Sequence, residues 1–291
     1  MRIATSQLYD RPTAQMSSLT AQADRLQTEV STGKRVITAS DDPAAWVRLQ
    51  GLARADAGDT AWSGNVKLSQ GLLAQSDSTL ESVQTQLQRA QELTVQAANG
   101  TLSDTGRSAI KTELDSIIDE LMSLANTTDV RGQPIFGGAD GGTPFVKASD
   151  GTISYTGTGT PAAIPVGDGS SVTPGVTGDR AFGDMFAMLT AISTALGDGD
   201  APPQSAADGL QSANDEVSAA RASVGARAAR MDIYAAQLTN TSTTRADERQ
   251  SLESTDVSAA ITELQKTLTI LQATQASFTK LSSMSLFDYL K

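Results

Sequence analysis

Val257, Ile261, Leu264, Leu268, Leu271, Gln275 and Phe278 recur at alternating spacings of four and three. This is the heptad seam of an amphipathic helix, with one polar position in an otherwise apolar line. A helix over residues 257–285 would be about 40 Å long, and it cannot bury so narrow a face alone. The other end of the chain repeats the pattern: Met16, Leu19, Ala23, Leu26 and Val30 recur within about Thr13 to Thr32. The simplest cover for both seams is to pair the two ends with each other, or with copies from neighbouring subunits.

A second helical layer lies inside these ends. Leu68, Leu72, Leu80, Val83, Leu87, Ala90 and Ala97 mark a long helix that stops at Asn99-Gly100, a C-terminal and turn signal. Ser103 and Asp104 offer caps for the next helix, whose face is Ile110, Leu114, Ile117, Leu121 and Leu124. Leu210, Val217, Ala220, Val224, Met231 and Leu238 give a later helix that packs against this hairpin. From about Gly132 to Asp179 the helical period disappears and Gly, Pro, Thr and Ser become frequent. Pro134–Phe136, Thr152–Tyr155 and Ser171–Thr173 are short extended candidates there. Residues 129–200 hold eight aspartates against three Lys or Arg, which places the segment at the solvent side.

The expected fold is therefore mainly α with a small β-rich insertion. It is an elongated rod of long antiparallel helices, with the terminal helices paired as a coiled coil. Three domains follow: 1–40 with 255–291, 41–131 with 200–254, and 132–199. An aromatic content of 4% argues against one large globular core, and a formal net charge of −11 weighs against a nucleic-acid partner, since a phosphate backbone needs a basic surface. No stretch approaches the ~18 apolar residues that span a bilayer, so no membrane partner is expected. The start, MRIATSQLYDRPTAQM, has no apolar run of signal-peptide length, so any route out of the cell would read no cleaved leader.

The chain holds no histidine and no cysteine. That removes Ser-His-Asp triads, thiolate chemistry and His-ligated zinc together. STGKRVITASDDPAA, residues 31–45, has the look of a phosphate loop but fails as one. The motif needs glycine where Thr28 stands and Ser or Thr where Arg35 stands. Its better reading is a joint. Gly33 ends the first helix, Val36-Ile-Thr38 is an extended connector, and Asp42, with Asp41 or Ser40 sharing the role, caps a helix that opens on Pro43. Asp198-Gly-Asp200 starts like a calcium loop, but Pro203 stands where the glycine belongs. No catalytic or metal constellation emerges, and neither an enzyme nor a cofactor is expected.

Three stretches resemble the flagellin family of bacterial axial proteins: STGKRVITASDDPAA, LQRAQELTVQAANGTLSDTGRSAIKTELDSIIDEL at 87–121, and the final TLTILQATQASFTKLSSMSLFDYLK. The resemblance covers roughly 1–135 and 210–291. Pro43 after the double aspartate, RGQPIFGGADGGTPF at 131–145 and the ending SLFDYLK favour the hook-filament junction branch over the filament subunits, with a major or minor filament flagellin as the alternative. The resemblance implies a structural adaptor outside the cell, exported unfolded through the flagellar type III channel. Its implied partners are hook-associated protein 1, flagellin, copies of itself in a ring, and a cytoplasmic chaperone on the C-terminal helix. Leu19, Leu26, Val30, Val257, Ile261, Leu264, Leu268, Leu271 and Phe278 become the assembly positions. Gly33, Asp41, Asp42 and Pro43 become the joint. The 87–101 stretch is similar to the part of flagellin that innate immune receptors see, with Arg89, Leu93 and Glu113 as the positions to test.

Overall fold

The computed structural model describes residues 2–100 and 102–288, with side-chain surroundings for 10–100 and 102–280. Thr101 and the last three residues of the SLFDYLK ending lie outside the described residues. The chain divides into two compact units, 1–57 with 242–291, and 58–241.

The first unit holds α1 (Arg2–Thr32), the start of α2 (Pro43–Ala97), the end of α6 (Gln204–Glu253) and α7 (Val257–Asp288). Helices α1 and α7 lie along each other. They run antiparallel, because the end of α1 meets the start of α7 through Thr255 N–H to Gly33 O at 3.1 Å. Helix α1 starts well before Thr13 and carries Pro12 inside it. A proline with no N–H reads as a helix start in sequence, and here the helix runs on through it. The apolar cluster of this unit is small: Val36, Ala45 and Leu49, flanked by Trp46 and Leu252.

The second unit holds the rest of α2 and α6, α3 (Asp104–Ala125), β1 (Phe145–Lys147), β2 (Ile153–Tyr155), β3 (Ile164–Gly167), β4 (Ser170–Val172), α4 (Gly178–Phe182) and α5 (Met185–Gly197). Ser103 caps α3, accepting from Gly106 N–H. Helices α2 and α6 run antiparallel here. Gln91 donates to Leu210 O, Gln84 to Ser218, Arg221 to Asp77, and Gln70 to Asp232. The strands form two antiparallel pairs, β1 with β2 in the register Val146↔Ser154, and β3 with β4 in the register Ile164↔Val172. A bulge between Pro165 and Gly167 accompanies a fully buried Val166.

Two of the expected strands are β2 and β4. Residues 134–136 form no strand, only a bridge between Thr128 and Pro134, and Phe136 is fully buried. Helices α4 and α5 occupy the end of the segment expected to be β-rich. The buried Met185, Phe186, Leu189, Ile192 and Leu196 of α5 carry a plain helical period, which the Gly- and Thr-rich composition before it obscured.

The sequence divides 132–199 from the inner helices, but the structure gathers both around one core. The physical reason is that α5 packs along α3, so an aromatic group internal to the insertion joins one cluster with Leu114 and Leu121 of α3 and Leu210 and Val217 of α6. Phe136 and Phe182 meet edge to face with centroids 4.9 Å apart, and Phe145 lies 5.0 Å from Phe186 of α5. Tyr155 completes the group, donating its hydroxyl to Phe136 O at 3.0 Å. The short strands own too little apolar surface to close a core without α3, α5 and α6.

Candidate functional site

The joint lies inside the first unit. Gly33 stops α1 with φ +67, a conformation that costs a residue with a Cβ. The chain then runs extended, and Lys34 forms an antiparallel bridge with Ser254. Arg35 N–H donates to Glu253 O at 2.6 Å. The link into α2 and the link from α6 to α7 are thus laced together. Lys34 Nζ, the cation that suggested phosphate binding, stands 2.6 Å from Glu253 Oε2.

Each aspartate of the pair has its own task. Asp41 Oδ2 accepts from Ile37 N–H at 3.0 Å and Thr38 N–H at 2.8 Å, folding the connector back on itself. Asp42 Oδ1 accepts from Ala45 N–H at 3.0 Å, and its other oxygen accepts from Arg35. That is an N-cap ahead of Pro43 at the first helical position. The backbone N–H groups of Thr38 and Ile37 hold the Asp41 carboxyl below its ordinary pKa, and that of Ala45, with Arg35 behind it, does the same for Asp42.

Two contributors were not anticipated. Asp256 caps α7 by accepting from Ser258 and Ala259 N–H, each at 3.0 Å. The buried Glu29 accepts from the Thr255 hydroxyl at 2.6 Å. The signal for Asp256 was the same Asp-before-helix pattern seen at Asp42. Glu29 gave none, because a carboxylate beside Val30 reads as solvated.

On α1 the expected Leu19, Leu26 and Val30 are half-buried, with Ala23 buried between them. On α7, as far as residue 280, the protected positions are Glu263 and a line of Ala260, Leu264, Thr267, Leu271, Thr274 and Phe278, which also alternates four and three. Val257, Ile261 and Leu268 stay 40%, 40% and 41% exposed. The apolar face of α7 is therefore wider than what α1 covers. Among the described residues no group of three Asp, Glu, His or Cys could hold a metal, and no helix is long and apolar enough to cross a membrane.

Residues 3–140 match the model of the bacterial flagellin N-terminal helical region, and residues 207–290 match that of the C-terminal helical region. The chain belongs to the flagellin family. Among curated flagellin-family relatives, it is 29% identical to flagellar hook-associated protein 3 of Escherichia coli K12, covering 100% of both chains. A flagellin of Listeria monocytogenes is 27% identical, over 82% of this chain and 81% of its own. The fold is that of the solved flagellar hook-associated protein from Vibrio parahaemolyticus, at TM-score 0.68 and 22% identity, over 74% of this chain and 100% of that one.

Within this flagellin-family framework, Arg89 and Glu113 pair across the α2–α3 hairpin at 2.6 Å, and Arg89 also reaches Glu92 at 3.0 Å. Both members of the hairpin pair are about half exposed. Leu93 is 2% exposed and belongs to the core. The three positions are thus close in the flagellin-like hairpin, but only Arg89 and Glu113 present side chains to solvent.

Proposed function

We infer that this chain is a structural axial protein of the bacterial flagellum, the adaptor at the hook-filament junction on which the flagellin filament is built. It is not an enzyme. The observation that carries the reading is the end-to-end match to a hook-associated protein 3, whereas the flagellin match leaves nearly a fifth of each chain out. The exposed Val257, Ile261 and Leu268 on α7 support an assembly role, because they extend an apolar face that one partner helix leaves uncovered.

The proposed neighbours are hook-associated protein 1, flagellin and further copies of this chain arranged as a ring. A chaperone in the cytoplasm covers Leu264, Leu268, Leu271 and Phe278 before export through the flagellar channel. The second reading, a filament flagellin, rests on the Listeria match.

Deleting the gene tests both. Hooks without filaments in electron micrographs, with flagellin lost to the medium as monomer, are the expected result. Normal filaments would overturn the junction reading in favour of a redundant filament subunit.

A further inference from the structure

Fifteen arginines and seven lysines stand against thirty-three acids in this chain, so three arginines gathered in one place with only neutral partners are worth following. Eight arginines stand within ion-pair distance of an Asp or Glu. Arg180, Arg227 and Arg230 do not, among the described residues, and the three line one cleft of about 410 Å³ in the second unit. Arg180 comes from α4, and the other two come from successive turns of α6.

The cleft is made by the way the β3–β4 hairpin is fastened. Arg227 Nη1 donates to Thr173 O at 3.0 Å and to Gly175 O at 2.7 Å, and its Nη2 donates to Ser223 Oγ at 2.9 Å. Arg230 Nη2 donates to the Tyr234 hydroxyl at 3.0 Å, with its guanidinium 5.4 Å from that ring. Every acceptor in these contacts is neutral. Burial, and then the positive charge of Arg180, lower the Arg227 pKa, so the like charges feel one another. Thr160, Ser171 and Thr177 add hydroxyls to the lining, and Thr177 makes no capping hydrogen bond with its side chain. Like charges held together on rigid elements, beside free hydroxyls, form an acceptor for a planar or tetrahedral oxyanion.

We propose that the Arg180–Arg227–Arg230 cleft binds a small oxyanion, a phosphate or carboxylate group. Arg180 and Arg230 supply the free donors and charge. Arg227 supplies charge while its own hydrogen bonds hold the hairpin in place. The proposal is independent of the junction reading, since it concerns the second unit alone.

Inorganic phosphate is the probe, titrated against the full chain with sodium chloride at matched ionic strength as the blank. Phosphate is expected to raise the thermal midpoint. Arg180→Gln with Arg230→Gln should weaken the apparent affinity at least about tenfold while leaving the phosphate-free midpoint in place. Arg227 is left alone because its substitution would release the hairpin. Equal responses to phosphate and chloride, or the same phosphate response in the double variant, would overturn the proposal. Should the double variant unfold, the Arg180 Nε resonance of the unaltered chain decides: a saturating shift with phosphate supports the site, and an unmoved signal removes it. Sedimentation separates the sources. Self-association that both phosphate and the double substitution abolish would assign the oxyanion to a carboxylate of a second copy; a monomer that binds phosphate assigns it to a free anion.

Discussion

The carboxylate of Asp41 closes a ring over Thr38, accepting from its backbone N–H at 2.8 Å and from its hydroxyl at 3.1 Å. Five residues, 33–37, separate α1 from this ring, and Asp42 caps α2 immediately after it. The turn is shaped by an ionised group, which makes it sensitive to acid.

The sign follows from the direction of the shift. The Thr38 and Ile37 N–H groups lower the Asp41 pKa in the folded state, so its contribution is complete above the unfolded value of about 4. It is lost as pH falls through the lower, folded value. Asp41→Asn is expected to reduce stability at pH 7 and to flatten this acid-side fall. Urea midpoints from pH 7 down to pH 3, compared between the two chains, check it; parallel curves would contradict the assignment.

Gly33→Ala tests the helix stop. A Cβ at Gly33 meets nothing within 4 Å, so the whole cost comes from φ +67. A loss of about 1–2 kcal/mol is expected. Asn, which tolerates that region, should lose less. The fluorescence of Trp46, in a chain carrying Trp62→Phe, reports the transition of the first unit.

Gly178→Ala tests the aromatic group in the second unit. The added carbon would stand 2.6 Å from Phe145 Cε2 and 2.8 Å from Tyr155 Cε2. Rings wedged between α5 and Phe182 have little room to retreat, so a destabilisation of about 1–3 kcal/mol is expected. Thermal unfolding read by near-ultraviolet dichroism measures it.

Leu93→Ala separates packing from recognition. The side chain lies in the core, and truncation should cost about 2–5 kcal/mol. Any loss of receptor signalling in this variant should be matched by a loss of folded protein. Full stability with abolished signalling would show that Leu93 is a contact residue.

The two faces of α7 give opposite expectations. Ile261→Ser and Leu268→Ser should change the stability of the monomer by less than about 0.5 kcal/mol, as exposed sites do. They should impair filament growth in cells. Leu264→Ser and Leu271→Ser should weaken the α1–α7 pair itself, seen as faster amide exchange in both helices.

Which parts of this were legible beforehand depended on whether the cause was local. Gly33, Asp42 and Pro43 announce a helix stop and start because each acts through its own backbone and one hydrogen bond. The α7 period was equally plain, but its orientation was not. Seven positions at four-three spacing fit a seam through Leu264 and Leu271, and small Ala260 and Thr267 let the neighbour approach on one side of it. Apolarity alone cannot rank Thr267, 2% exposed, above Leu268. The shared core of the second unit was illegible for a different reason. Phe136, Phe145 and Phe182 each look isolated among glycines and threonines, and only the fold brings them within ring contact. Arg180 and Arg227 likewise stand 47 positions apart in sequence and meet only because the hairpin is pinned to α6.

The lacing at the joint also sets an order of events. Thr255 reaches Glu29 across 226 positions of chain, and Arg35 reaches Leu252 O across 217. None of these bonds can form until nearly nine-tenths of the polypeptide is available. The residues of the second unit, in contrast, all lie between 58 and 241. A chain released from its N-terminus would therefore complete the later-numbered unit first, while α1 waited with its seam uncovered. The last helix to appear acts as the latch, and a protein built this way stays open at its ends until its synthesis or transit is finished.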